Sequence, residues 1–154
     1  MTVVPETAEI RMRHSKSNSK PPEDKNSHYQ KMQKIMLSGK IHTARLTKCV
    51  IDYEGSLEID PELLAEANIL PYEKILVSNR NNGSRLETYA IPGKAGSKDF
   101  CLNGPAAKLG SIGDVVTIMA FSVCSEEEAK NISPRVIVLD ENNNITLRKG
   151  NCGK

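Results

Sequence analysis

The sequence predicts a mainly-β protein, a small β-barrel with two or three short helices. Segments that suit strands recur along the chain, and turns rich in Gly, Pro and Asn separate them. Only brief stretches have the composition of helices. The chain has 154 residues, the length of a single domain, and its core has to be aliphatic because aromatics make up only 4% and Trp is absent.

The first strands are predicted in the segment KIMLSGKIHTARLTKCVID, which begins at Lys34. Its residues favour strands, and Gly39 marks a bend or bulge within it. A short helix is predicted in IDPELLAEANIL, where Asp60 can cap the helix and Pro61 fits its first turn. The apolar residues of this helix share one face: Leu63, Leu64 and Ala67.

The strongest hairpin signal is Asn82-Gly83, and the predicted strands EKILVSNR and SRLETYAIP flank it. The next segment predicts a short strand, a turn rich in Gly, Pro and Ala, and a buried strand at 115–123. Ser125 and Glu128 resemble a capping box that begins a brief helix. The segment RVIVLDENNNITL predicts a final strand followed by a polar turn.

The chain divides into three predicted parts. Residues 1–33 are polar and interrupted by Pro, which predicts a disordered extension; residues 34–145 form the predicted barrel domain, and residues 146–154 a flexible C-terminal tail. Residues 1–34 carry seven Lys or Arg against four Asp or Glu, whereas the rest of the chain carries fourteen against fifteen. The basic excess therefore lies in the extension, which we interpret as a solvated tail, with a partner-binding arm as the alternative.

Composition and cysteine spacing argue against several classes of protein. A net charge of +2 and a pI near 8.3 give no argument for a nucleic-acid partner. We expect no membrane partner, because no apolar stretch is long enough to span a bilayer and no apolar signal core begins the sequence. The four cysteines show no CxxC pair and no metal-ligand spacing with His, which indicates free thiols in a reducing cytoplasm and no metal.

Most familiar catalytic motifs are missing from the sequence, including a nucleophile elbow, a P-loop and HExxH. His42 is the one histidine beyond the extension, and a lone histidine is weak evidence for a metal site; a polar filling or surface role is an equal alternative. The remaining candidate is Gly55-Ser56 within YEGS. On spacing alone this pair is an ordinary turn. Only the surrounding sequence can indicate whether it is also a reactive site.

Five stretches carry a resemblance to one family: MLSGKIHTARLT, YEGSLEID, GSRLETYAI, LNGPAAKLGSIGD and VVTIMAFS. In this order and spacing they resemble the bacterial aspartate 1-decarboxylases, pyruvoyl enzymes that make β-alanine. The resemblance covers residue 35 to about residue 140, and the extension lies outside it. Pro105 stands where the family more usually has Ala.

The resemblance implies a double-psi β-barrel that assembles as a homotetramer with active sites between subunits. It implies a decarboxylase that converts L-aspartate to β-alanine and CO₂ for pantothenate biosynthesis. The implied cofactor is a covalent pyruvoyl group made from Ser56, with no metal and no pyridoxal phosphate. Whether cleavage is spontaneous or needs a maturation helper stays open.

In the implied maturation, the chain is cleaved between Gly55 and Ser56. Ser56 Oγ attacks the Gly55 carbonyl, elimination leaves dehydroalanine, and hydrolysis releases ammonia and leaves the pyruvoyl group. Gly55 has no side chain to obstruct the attack and tolerates unusual backbone angles. Thr88 is implied as the donor to the oxyanion and as a substrate contact, with an ordinary strand threonine as the alternative.

In the implied reaction, the substrate amine forms a Schiff base with the pyruvoyl ketone, which accepts the electrons released with CO₂. Tyr89 is implied as the proton donor, a role open to tyrosine because it stays protonated at neutral pH. Arg85 suits a bidentate carboxylate contact, and Lys40 supplies a second positive charge. The resemblance also places His42 near the substrate and Tyr53 beside the cleavage point.

One turn is implied in substrate binding through an amide side chain and two backbone N–H groups, and it consists of Asn103, Gly104, Pro105 and Ala106. Strand periodicity places Arg85 and Tyr89 on one face and Thr88 on the other. All three can therefore line one pocket only if a bulge intervenes or the site lies between subunits.

Two alternatives stay open. The chain could be an uncleaved, non-catalytic barrel that acts as a binding or assembly module, although a scaffold has no need of Ser56, Tyr89, Arg85 and Lys40 together. It could also be a pyruvoyl decarboxylase for another amino acid. Two cations favour an acidic substrate without distinguishing aspartate from glutamate.

Overall fold

The computed structural model describes residues 32–150. These residues fall within one compact unit, Lys31–Lys154. Residues 1–31 of the predicted extension lie outside the described residues, and Gln33, at its end, already begins the first strand. None of the helices within residues 32–150 is long and apolar enough to cross a membrane.

The described residues form nine strands, two short α-helices and one 3-10 helix. In chain order these elements are β1 Gln33–Arg45, β2 Lys48–Val50, β3 Ser56–Ile59, α1 Pro61–Glu66, β4 Lys74–Asn79, β5 Arg85–Pro92, β6 Phe100–Asn103, the 3-10 helix Gly104–Leu109, β7 Val115–Ser125, α2 Glu126–Ala129, β8 Arg135–Leu139 and β9 Ile145–Lys149. The predicted mainly-β barrel with a few short helices is confirmed.

The strands form one sheet in the order β2-β6-β3-β5-β4-β7-β1-β8-β9. The pairs β1 with β8, β2 with β6, and β3 with β5 are parallel, so each joins segments far apart in the sequence. The inner face of the sheet buries an aliphatic core around Ile41, Leu57 and Ile118. This arrangement places the short strand β3 between β5 and β6, where the Gly55-Ser56 pair enters the sheet.

Strand β1 contains the bend that Gly39 predicts. Its register against β7 shifts between Leu37 and Gly39, which is a β-bulge. A Cβ atom on Gly39 would lie 2.4 Å from the carbonyl oxygen of Ala67 at the end of α1. Gly39 is therefore required because β1 and the end of α1 approach each other too closely for any side chain.

The carboxylate of Asp60 fixes the start of α1 and a distant loop together. It is 1% exposed and accepts hydrogen bonds from the backbone N–H groups of Glu62 (2.9 Å), Gly96 (3.2 Å) and Lys98 (2.7 Å). The predicted helix cap is confirmed. The bonds to residues 96 and 98 need the folded chain, so no local pattern could predict them.

Two strands differ from the predictions. β3 was not predicted, because only four residues separate the turn at Gly55 from the cap of α1. β9 begins at Ile145, so the first residues of the predicted flexible tail pair with β8 instead of being free. The predicted capping box of Ser125 and Glu128 is present at α2, and the predicted hairpin joins β4 to β5.

Replacing Asp60 tests the fold. We expect Asp60→Ala to lower the free energy of unfolding by about 3 kcal/mol, because three backbone N–H groups lose a buried acceptor. Asp140→Ala is the matched control, since this less buried carboxylate also accepts backbone N–H groups, from Asn142 and Asn144. Urea unfolding measures both, and an equal, small loss in the two variants contradicts the assignment.

Candidate active site

A cleft of about 350 Å³ lies where β3 meets β5 and the 3-10 helix. Seven of the residues predicted for the site line it: Gly55, Ser56, Thr88, Tyr89, Asn103, Pro105 and Ala106. The structure therefore brings the cleavage pair together with the proposed oxyanion donor and the proposed proton donor. These residues come from segments almost 50 positions apart, and only the sheet order joins them.

Strand pairing places Ser56 between two of its predicted partners. Ser56 is opposite Asn103 in the antiparallel pair of β3 and β6. On the other side, Leu57 pairs with Ala90 in the parallel pair of β3 and β5, which sets Ser56 beside Tyr89. The first residue of β3 therefore lies at the centre of the cleft, flanked by a strand on each side.

The backbone around the Gly55–Ser56 bond is strained. Gly55 has φ of +98° and Ser56 has φ of +106°, a region that a residue with a side chain rarely adopts. Holding Ser56 there costs about 1–3 kcal/mol, which the surrounding strands have to supply. Strained residues of this kind cluster at functional sites, and here the strain lies at the predicted cleavage bond.

Two polar atoms at this point are buried without a hydrogen-bond partner, Ser56 Oγ and Asn103 Nδ2. Their residues are 3% and 2% exposed. An unpaired buried polar group costs about 1–3 kcal/mol, so a native fold rarely keeps two of them side by side. A hydroxyl free to attack and an amide free to donate are the groups that a reaction at this bond requires.

Gly104 brings the 3-10 helix against the cleavage segment. Its φ is +63°, and a Cβ atom there would lie 2.7 Å from the nitrogen and Cα of Gly55 and from the carbonyl oxygen of Tyr53. Gly104 thus acts by close approach rather than by lining the cleft. The Tyr53 side chain is 51% exposed and does not line the cleft.

Pro105 occupies the first turn of the 3-10 helix, where a missing N–H removes no helical hydrogen bond. It is exposed and borders the cleft. Proline is therefore compatible with the local fold at this position, where the family more usually has alanine.

The faces of β5 follow the predicted alternation. Arg85, Glu87 and Tyr89 are exposed, and Thr88 lies on the half-buried face that leads to Ala90 in the core. Pairing with β4 runs without a register shift from Arg85 to Tyr89, so no bulge reorients these side chains. Arg85 instead donates from Nη1 to the Gly83 carbonyl (2.8 Å) and does not line the cleft.

Lys40 and His42 also lie away from the cleft within one chain. Both are half-buried side chains on β1, and the sheet order puts β5, β4 and β7 between β1 and β3. Four strand spacings correspond to about 19 Å along the sheet. Neither group lines the cleft of its own chain.

Arg85 and His42 nevertheless lie in one row across the sheet. Arg85 pairs with Ser78, Ser78 pairs with Thr117, and Thr117 Oγ1 lies 3.1 Å from His42 Nδ1. Sequence reasoning missed Thr117, because its contact with His42 depends on strand register alone. The row places Arg85 and His42 on one surface of the sheet, and neither residue lines the cleft.

Burial lowers the pKa of His42 below the ordinary value of 6.5, and the positive charges of Lys40, Arg80 and Lys149 lower it further. The imidazole is therefore neutral at pH 7 and can accept or donate a hydrogen bond. Within residues 32–150, no three His, Cys, Asp or Glu side chains are grouped so that they could hold a metal ion.

Comparison with known proteins gives one consistent family. The family profile described as aspartate decarboxylase matches residues 32–146. The aspartate 1-decarboxylase of Salinibacter ruber is 52% identical over 115 residues, 75% of this chain and 79% of that protein. Those of Thermoanaerobacter pseudethanolicus and Listeria monocytogenes are 48% and 47% identical, over 73% and 75% of this chain and 96% and 91% of their own lengths.

The electrostatics of His42 can be tested by titration. We expect its imidazole to titrate below pH 6.5 and Lys40→Met to raise that pKa, because one repelling charge is removed. Lys108→Met, a change in the 3-10 helix, is the control. NMR of the histidine ring protons, assigned with His42→Asn, measures the pKa.

The lowered pKa of His42 also determines how the stability of the fold depends on pH. Protonation of His42 is harder in the folded chain than in the unfolded chain, so its contribution to stability is lost as pH falls from 6.5 through the folded pKa. A pKa at or above 6.5, or one that Lys40→Met leaves unchanged, contradicts this description.

Proposed function

Because the chain belongs to the aspartate decarboxylase family, we propose that it cleaves itself between Gly55 and Ser56 and converts L-aspartate to β-alanine and CO₂ with the pyruvoyl group so formed. It is a carboxy-lyase with the double-psi β-barrel of that family. The alternative of an inert barrel is not favoured, since relatives near 50% identity carry the name of the enzyme.

One observation carries the self-cleavage proposal. Ser56 Oγ is buried, has no hydrogen-bond partner and belongs to a residue held at a positive φ directly after Gly55. A structural Gly-Ser turn would expose its hydroxyl or satisfy it with a hydrogen bond. A nucleophile adjacent to the bond that it attacks has to be held free of such bonds.

The proposed maturation uses groups of the chain itself. Ser56 Oγ attacks the Gly55 carbonyl carbon, its proton passes to the Ser56 nitrogen, and the C–N bond breaks to leave an ester. Loss of the Ser56 α-proton expels the Gly55 carboxylate and leaves dehydroalanine at the new N-terminus. One water then replaces its nitrogen, which leaves as ammonia. Thr88, on the cleft wall, is the proposed donor to the oxyanion.

The residues of the cleft fit a pyruvoyl group at position 56. Such a group, once formed, supplies a carbonyl that accepts the electrons released with CO₂. Asn103 Nδ2 offers an unused donor beside it, and Tyr89, 41% exposed, offers a hydroxyl at the mouth of the cleft. We propose Tyr89 as the proton donor and Asn103, Pro105 and Ala106 as the wall around the substrate. Gly104 is proposed to hold this turn against Gly55.

We propose that a second copy completes the site, within a homotetramer. Arg85, Lys40 and His42 do not line the cleft of their own chain, so the proposed cations for the substrate carboxylates come from a neighbouring chain. The surface also offers apolar contacts. Ile35 and Val123 are paired neighbours on β1 and β7, yet they are 74% and 62% exposed.

Tyr53 is proposed to position the reacting group through the segment that packs on Gly104. We also propose a cytoplasmic location and a role in pantothenate biosynthesis. The location is supported by Cys49, Cys101 and Cys124, which are free thiols.

Turnover of L-aspartate tests the activity. We expect purified protein, without added pyridoxal phosphate or metal, to form β-alanine and CO₂ in equal amounts, and Ser56→Ala to form none, because alanine has no nucleophile. Amino-acid analysis with trapping of ¹⁴CO₂ measures both products. Rapid release of CO₂ from glutamate with only traces from aspartate contradicts the substrate, and no release from either contradicts the activity.

The close approach of Gly104 to Gly55 gives a test of the proposed cleavage. We expect Gly104→Ala to slow cleavage of the chain by about tenfold or more, because the new methyl group displaces Gly55. Gly83→Ala is the matched control, since Gly83 also has a positive φ (+76°) but open space around its Cβ position. It should cost about 1 kcal/mol of stability and leave cleavage within about twofold.

Denaturing gel electrophoresis over time measures the uncleaved fraction in both variants. Equal slowing by the two substitutions would show that strain in the turns, and not contact with Gly55, is responsible.

A further inference from the structure

The amide of Asn103 is held from one side by a thiol. Cys101 Sγ donates to Asn103 Oδ1 at 3.2 Å, and the two residues are 4% and 2% exposed. We propose that Cys101 is a positioning residue for maturation: its thiol orients the Asn103 amide so that the NH₂ group faces the Gly55–Ser56 bond. This inference rests on the self-cleavage proposed above.

Strand geometry explains the contact. Cys101 and Asn103 are two residues apart on β6, so their side chains project from the same face. β6 is the direct neighbour of β3, and Asn103 is opposite Ser56 across that antiparallel pair. The order of groups along this face is therefore thiol, amide and serine hydroxyl.

The structure holds the Asn103 amide in one orientation. Asparagine has an acceptor end and a donor end. With Oδ1 toward Cys101, the acceptor is used and Nδ2 remains buried without a partner. In the reverse orientation, two N–H groups would face the S–H donor and the amide oxygen would face Ser56. That oxygen could only accept a hydrogen bond there and could not stabilise negative charge.

The thiol keeps its proton at neutral pH. Burial raises the pKa of Cys101, and the negative charge of Glu58, opposite it on β3, raises it further. Cys49 and Asp99 act in the same direction, and Lys48, its neighbour on β2, opposes them. Sulfur is a weak donor in general, and Oδ1 of Asn103 is the acceptor that this buried thiol has in the structure.

The unused NH₂ group gains a partner only when the bond reacts. Attack by Ser56 Oγ places negative charge on the former carbonyl oxygen of Gly55. A donor that is already desolvated and correctly oriented stabilises such charge without reorganisation. Loss of the thiol leaves the amide free to reverse, and a reversed amide withholds that donor.

Cleavage kinetics of three variants test the inference. We expect Cys101→Val, which is similar in size but has no donor, and Cys101→Ala to slow cleavage about two- to tenfold, the range of one neutral hydrogen bond. Cys101→Ser, which restores a donor, should stay within about twofold of the wild type. Cys49→Ala is the control, because this neighbouring thiol bonds to the Gly110 carbonyl instead.

Pulse labelling of the full chain in growing bacterial cells, followed by a chase and denaturing electrophoresis, gives the rates. A Val variant as fast as the wild type, or a Ser variant as slow as the Val variant, overturns the inference. A wild-type chain that is never cleaved and forms no β-alanine contradicts the proposed function instead.

The orientation of the Asn103 amide can also be measured by NMR in a variant that cannot be cleaved. In Ser56→Ala protein labelled with ¹⁵N-asparagine, we expect one sharp pair of NH₂ resonances for Asn103. Adding Cys101→Val should double or broaden that pair as the amide samples both orientations, and Cys101→Ser should preserve it. One unchanged sharp pair in the Val variant overturns the inference, and normal thermal unfolding shows that the variants are folded.

Discussion

The pairing of β3 between β5 and β6 is the constraint on which the site depends. The pairing of β3 with β6 begins at Ser56 and its pairing with β5 at Leu57, and Ser56 enters the sheet with φ of +106°. Gly104 closes over the same segment from the 3-10 helix. The buried sheet supplies the free energy that holds this strained serine, and a free turn could not hold it.

The order of strands in the sheet places the groups proposed for maturation and the cations proposed for substrate binding at different positions. Groups suited to cleaving the chain and to handling a carbonyl at position 56 lie in the cleft, whereas Lys40, His42 and Arg85 lie elsewhere on the surface. The proposed self-cleavage is a reaction within one chain and uses groups of the cleft. Binding of a dicarboxylic substrate needs the cations as well, which links the proposed catalysis, but not maturation chemistry, to contact between copies.

Features of the fold that depend on neighbouring residues could be predicted from the sequence. The bulge at Gly39, the cap at Asp60, the hairpin at Asn82-Gly83 and the alternation along β5 each depend on neighbouring residues, and the structure confirms them. The parallel pairing of β3 with β5 has no local signature. For that reason the sequence could suggest the roles of Ser56 and Tyr89 only through family resemblance. The thiol contact to Asn103 follows period two and could have been proposed, but its importance depends on Ser56 being opposite.

The intact mass of the purified protein, under denaturing and reducing conditions, is the most direct test of self-cleavage. We expect two pieces that meet at the Gly55–Ser56 bond, with the C-terminal piece lighter than a chain that begins with serine by the mass difference between serine and a pyruvoyl group. A single uncut chain contradicts self-cleavage for that sample. Two pieces with an ordinary N-terminal serine contradict the formation of the pyruvoyl group, and with it the proposed decarboxylation.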